Sequence, residues 1–138
     1  MEVKEKRALI KKVYNEFNRG NYDVIDECFT DDFVLIRHNG ESQDRQGFKQ
    51  LLVDMTSGFT DIHRTIDDLV ISDDKAALFF TWEGREIQER TGRSAADTIT
   101  RVRQIYLVCF EDNKISEYLQ YSDPCSLAYK PDTHEEII

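Results

Sequence analysis

The sequence predicts an α+β fold in which helices cover one face of a curved antiparallel sheet, on three observations. Apolar residues recur with helical spacing through roughly the first sixty positions. Further on the period drops to two over long segments rich in β-branched and aromatic residues. Those later segments are joined by short turn signals, so they should pair as hairpins rather than cross over through helices. The only prolines are Pro124 and Pro131, and no linker or internal repeat precedes them, so the 138 residues are expected to form one domain over 1–130 with an acidic tail at 131–138.

Between Val3 and Arg19, the residues Ile10, Val13, Tyr14 and Phe17 fall at i, i+3, i+4 and i+7, one stripe of an amphipathic helix that Gly20 can stop. Asn21 is placed to cap a short second helix with Tyr22, Ile25 and Phe29 on one face, ended by Thr30-Asp31-Asp32. A third helix carries Phe48, Leu51, Leu52, Met55 and Phe59, with Gly58 near its end. The strands begin with Phe33–His38. Ile62–Ser72 alternates imperfectly, as a bulge near Asp67-Asp68 would cause, and Asp73-Asp74 reads as a turn. From Lys75 the even positions Ala76, Leu78, Phe80 and Trp82 form the more apolar face, and Gly84 suggests a bulge or bend. Ile99–Phe110 and Lys114–Asp123 are two further strands around the turn Glu111-Asp112-Asn113.

Composition narrows the function. Lys and Arg number 18 against 27 Asp and Glu, a net charge of -9, which opposes binding to nucleic acid or an anionic membrane surface. No apolar run approaches a membrane span and the N-terminus MEVKEKRALIKK is charged, so a cytoplasmic protein is expected. Cys28, Cys109 and Cys125 are odd in number, far apart and without a CxxC pair. They read as reduced thiols, and three scattered histidines add nothing to a metal site.

The segments Tyr14-Asn15-Glu16-Phe17-Asn18-Arg19-Gly20-Asn21-Tyr22-Asp23, Phe29-Thr30-Asp31-Asp32-Phe33-Val34, Lys114-Ile115-Ser116-Glu117-Tyr118 and Tyr121-Ser122-Asp123-Pro124, in that order and spacing, resemble the SnoaL-like branch of the nuclear transport factor 2-like superfamily over about residues 7 to 130. The resemblance implies a cone-shaped half-barrel with a pocket between sheet and helices, and a homodimer formed through the outer sheet face. It implies fold more than activity, since this superfamily hosts cyclases, isomerases, epoxide hydrolases and inert binding modules. In the polyketide cyclases of the branch, an aspartate eight residues after the Ile of a Lys/Arg-Ile-x-Glu stretch is the acid/base of a cofactor-free aldol closure. Asp123 stands eight residues after Ile115, and Leu119 stands where those cyclases have tryptophan. Ketosteroid isomerase activity is disfavoured, because the position of its basic aspartate falls at or beside Arg37 and its oxyanion tyrosine falls at Val13, with Tyr14 about 100° further around the helix. Limonene-type epoxide hydrolysis is disfavoured too, for Arg90-Thr91-Gly92 and Arg101-Val102-Arg103 lack the Arg-x-Asp pair.

Asp123 is the candidate acid/base, and alternatively a turn-former ahead of Pro124. If Asp123 points inward, an unbroken period of two puts Tyr121, Leu119, Glu117 and Ile115 on its face. Pairing Phe110 with Ile115 adds Tyr106 and Gln104, and Trp82 joins from the neighbouring strand. Tyr14, Trp82, Gln104, Tyr106, Leu119 and Tyr121 are therefore the expected substrate contacts, with His38 a second catalytic candidate that its neighbours Asn39-Gly40 equally place in an exposed turn. The expectation is a binder of a small, apolar, carbonyl-bearing molecule, either a cofactor-free enzyme of the aldol cyclase or isomerase type or a non-catalytic binding or dimerisation module. The apolar outer face with Ala77, Phe79 and Thr81 supports a homodimer.

Overall fold

The computed structural model describes residues 1–87 and 99–122. Helix α1 spans Val3–Asn18 and buries Ile10, Val13, Tyr14 and Phe17, the stripe its period predicts. Its first turn is fixed by Glu5, whose carboxylate accepts the Glu2 N–H at 3.0 Å, and Gly20 ends it in the left-handed region at φ 79°. Helix α2 is short, Val24–Cys28, and begins at Asp23 rather than Asn21; the Asn21 amide instead donates to Glu16 at 2.6 Å. Strand β1, Phe29–Ile36, starts earlier than the Thr30-Asp31-Asp32 turn signal suggests, with Asp31 and Asp32 exposed on the strand. The three-residue strand β2, Ser42–Asp44, leads into α3, Arg45–Thr56, capped by Asp44, which accepts the Gly47 N–H at 2.7 Å. Phe59 does not belong to this helix but opens strand β3, Phe59–Ile71.

Strands β4, Lys75–Glu86, β5, Ile99–Glu111, and β6, Lys114–Ser122, complete a six-stranded sheet in the order β2-β1-β6-β5-β4-β3. Of its five neighbouring pairs, four join strands consecutive in sequence and are antiparallel; β1 and β6 run parallel, which the expectation of an antiparallel sheet did not include. The meander from β3 back to β6 brings the last strand alongside β1 in the same direction. The turn between β5 and β6 has Asp112 and Asn113 both at positive φ, the primed geometry that suits a right-handed twist. All three helices pack on one face, where Tyr14 meets Phe80 edge-on at 5.3 Å and Phe48 meets Tyr118 at 5.7 Å. Curved around them, the open sheet is the α+β cone.

Two of the sheet's register shifts bear directly on which side chains face in. In β3 the register shifts between Ile66 and Asp68, as the acidic pair suggested, with the Thr81 hydroxyl donating to Asp67 at 2.6 Å. A second shift lies between Cys109 and Phe110 of β5, where Phe110 pairs with Ile115 but Cys109 pairs with Glu117. That bulge inserts Ser116 and turns over every later side chain of β6. Gly84 keeps continuous register with β5, from Lys75 to Arg85, and on its other side faces a bulge of β3, where the register shifts between Thr60 and His63 and Asp61 takes a φ of 54°. A Cβ at Gly84 would stand 3.1 Å from the Trp82 ring and 3.2 Å from Phe59 Cβ, so the missing side chain serves close packing. The 130/131 domain boundary lies outside the described residues. Among the described residues no helix is long and apolar enough to cross a membrane.

Candidate functional site

The inner face of the cone is aromatic around Tyr118 of β6 and carries a buried arginine, Arg64, from β3. Phe29, Phe33 and Phe48 surround Tyr118, which stacks on Tyr106 with centroids 4.3 Å apart and planes 18° from parallel. Tyr14 reaches this group from α1, and Gln120 follows Tyr118 on the same face, paired across the sheet with Tyr106. From β3, Arg64 is brought opposite Trp82 of β4. Arg64 is held by Asn18, whose amide donates to the Arg64 carbonyl and whose oxygen accepts the Arg64 N–H, both at 2.8 Å. The C-terminal turn of α1 thus fixes where the guanidinium enters.

Several polar atoms on this face are buried without a partner among the described residues: Trp82 Nε1, Tyr118 Oη, Gln120 Oε1, Arg64 Nη1 and Arg37 Nε. Buried polar atoms are normally satisfied, so their concentration on one inner face is a departure from the usual pattern. The tyrosines are poised as donors. Burial, then the neighbouring Tyr118 and Tyr106 phenols, push the Tyr14 hydroxyl well above the usual phenol value, with Arg64 opposing. Tyr118 is pushed up by burial and by Tyr106, while burial raises Tyr106 to about 12 against the pull of Arg64 and Arg37. All three stay protonated at neutral pH and can donate to an oxygen on which negative charge develops.

The sequence-predicted residues divide. Tyr14, Trp82 and Tyr106 are buried on the inner face and Gln104 is half-buried there, paired with Phe80. Leu119 and Tyr121 are corrected to the outer side: the Ser116 bulge breaks the assumed period, and Tyr121 is 54 % exposed. Their inner places belong to Tyr118 and Gln120. His38 is likewise not part of this group, since it lies exposed in the turn between β1 and β2. Asp123 lies outside the described residues, as do Arg90, Cys125 and His134. Arg64 was not singled out from sequence, although it shares parity with Ile62 and Ile66, a charge on the apolar side of an alternating strand. Arg37, two positions after Leu35, carries the same signal on β1's extension.

On the outer face, Glu83 pairs with Arg101 at 3.1 Å, whereas Glu86 is buried and accepts the Thr100 hydroxyl at 3.3 Å. A concavity of about 790 Å³ opens on this side, its floor including Phe79, Ile105 and Tyr121 and its rims Asp67, Asp68 and Arg103. Among the described residues no three His, Cys, Asp or Glu side chains gather as a metal site would require.

Solved structures share this architecture at low sequence identity. IdmH from Streptomyces antibioticus, a proposed polyketide cyclase, is 20 % identical with a TM-score of 0.80, over 94 % of this chain and 98 % of that one. AclR from Streptomyces galilaeus, a proposed hydroxylase, is 17 % identical with a TM-score of 0.76, over 88 % and 91 %. TsrD from Streptomyces laurentii is 22 % identical with a TM-score of 0.74, over 89 % and 91 %. No curated protein sequence matches the chain. The SnoaL-like domain model matches residues 10–118, from the buried stripe of α1 to the stacked tyrosine of β6, and with the helix-lined cone this places the chain in the SnoaL-like domain family.

Proposed function

We propose that the protein binds a small cyclic or polyketide-like carbonyl compound inside the cone and transfers protons on it without a cofactor, in the manner of an aldol cyclase or isomerase. The observation that carries this reading is the set of protonated phenols, Tyr14, Tyr106 and Tyr118, beside the unpartnered Gln120 and Trp82 atoms in an otherwise apolar interior. Such donors stabilise a developing enolate oxygen, and ring faces around them accept an apolar framework. Asp123 supplies the acid/base in this proposal, on the strength of its spacing from Ile115 and of the resemblance to a proposed cyclase.

Trp82 is the single tryptophan and faces inward, so its fluorescence reports binding directly. Wild type is titrated and assayed with enolisable cyclic ketones and β-keto esters, then compared with Asp123→Asn. Turnover lost with binding retained supports the enzyme; turnover unchanged in the variant removes Asp123 from the mechanism. Binding without turnover on every class favours the second reading, a binding module, which the tightly filled aromatic end around Tyr118 independently supports. The outer concavity supports a homodimer, since it combines apolar Phe79, Ile105 and Tyr121 with acidic and basic rims that a two-fold copy would set against one another.

A further inference from the structure

Arg64 is 4 % exposed, on a chain that carries 27 acidic side chains. The ion pairs formed among the described residues all lie elsewhere. Its guanidinium lies over the faces of Phe17 and Tyr22, 5.4 and 5.5 Å from their centroids. Nη2 makes one long hydrogen bond to the Tyr22 hydroxyl at 3.4 Å, and Nη1 has no partner among the described residues. A desolvated guanidinium with ring faces and one long neutral hydrogen bond for company is costly, and a fold keeps one there only if something compensates it. The two-way clamp from Asn18 fixes the Arg64 backbone, and the side chain beyond it is held by the Phe17 and Tyr22 ring faces. Arg37, the other arginine acting on Tyr106, also has a buried nitrogen without a partner.

Resting on the reading of the interior as a ligand site, we infer that the ligand is an anion, and that its carboxylate is received by Arg64 while its ring framework lies toward Trp82. A carboxylate fits the planar fork of a guanidinium and compensates a charge that folding has already taken out of water. The faces of Phe17 and Tyr22, neighbours 5.6 Å apart and tilted by 56°, cover one side of the guanidinium, and the indole of Trp82 opposite Arg64 favours a flat, conjugated acid over a small inorganic ion.

The test uses benzoate, naphthoate and anthroate, each against its methyl ester, titrated into the full chain by calorimetry with Trp82 fluorescence as a second readout. For the ring size that fits, the acid should bind at least about tenfold more tightly than its ester. Arg64→Gln should abolish that preference while keeping ester affinity within about twofold, and Arg64→Lys should keep part of it. Equal affinity of acid and ester in the wild type overturns the inference and leaves the ligand site standing, as does a preference that survives in Arg64→Gln. Binding of neither member of any pair removes the ligand site itself. The wild-type comparison decides the matter even if Arg64→Gln does not fold.

Discussion

Tyr118→Phe isolates a single hydroxyl. Tyr118 is fully buried, stacked on Tyr106 and ringed by Phe29, Phe33 and Phe48, and its hydroxyl is a neighbour of Tyr14's without a hydrogen bond of normal geometry. Phenylalanine keeps every ring contact and removes only the oxygen. Leaving a buried polar group unsatisfied costs about 1–3 kcal/mol, so its removal should stabilise the ligand-free protein by about 1 kcal/mol. For a domain of this size that is a rise in Tm of about 3–5 °C, read by circular dichroism in a reversible melt. Tyr118→Ala, which discards the ring contacts as well, should cost about 3–5 kcal/mol and serves as the control. If Tyr118→Phe melts below the wild type, the hydroxyl is already satisfied in the free protein and the argument from orphaned inner-face atoms fails.

Three further outcomes are expected. Tyr14, Tyr106 and Tyr118 all have folded pKa values raised above the unfolded phenol, so the unfolded chain loses its protons first as pH rises. The phenols' contribution should be flat to about pH 9.5 and then fall by up to ~4 kcal/mol per pH unit between about pH 10 and 12, after a shallower earlier decline from Cys28 and Cys109, whose thiols burial also pushes up; urea unfolding reads it, and a flat profile to pH 12 would contradict it. Gly84→Ala forces a methyl against Trp82 and Phe59 and should destabilise by about 1–3 kcal/mol, with a shifted Trp82 emission. Lys6 is 2 % exposed, donates its ammonium to the Ser72 and Asp73 carbonyls and sits 5.7 Å from the Phe110 centroid. Lys6→Met should cost about 1.5–3 kcal/mol, and hydrogen exchange should show the turn at Asp73-Asp74 opening faster; unchanged protection there would count against the tether.

What the sequence revealed, and what it hid, follows from how local each signal is. The stripe Ile10, Val13, Tyr14, Phe17 and the stop at Gly20 are properties of a single helix and could be read without knowing its surroundings. The even face of β4 and its partners Val102, Gln104 and Tyr106 were legible because those two strands keep register without interruption. Phe59 fits the period of α3 by coincidence; the helix stops at Thr56 and Phe59 is used to cover Gly84. The exposed acids Asp31 and Asp32 resemble a turn, yet the register shift between Phe29 and Val34 accommodates them within a strand. Leu119 and Tyr121 were misplaced for a related reason: one inserted residue, Ser116, exchanges the faces of everything after it, and period-two reasoning carries no information about insertions. The spacing of Ile115 and Tyr118 by three rather than two was the available clue.

The parallel contact between β1 and β6 also bears on timing. Its partners Phe29 and Ile115 are separated by roughly 85 residues, so joining them costs about 4 kcal/mol in loop closure before any contact is rewarded, whereas the β5–β6 turn closes almost for free. The meander can therefore assemble early from neighbours in sequence, while the seam that seals Phe29, Phe33 and Leu35 under Tyr118 is made late. During synthesis, a ribosome must deliver Lys114–Ser122 before that aromatic surface and the open edge of β1 are covered. Substitutions in β6 thus act on how long a sticky half-cone persists, and their effect on yield in a cell can exceed anything an equilibrium melt records.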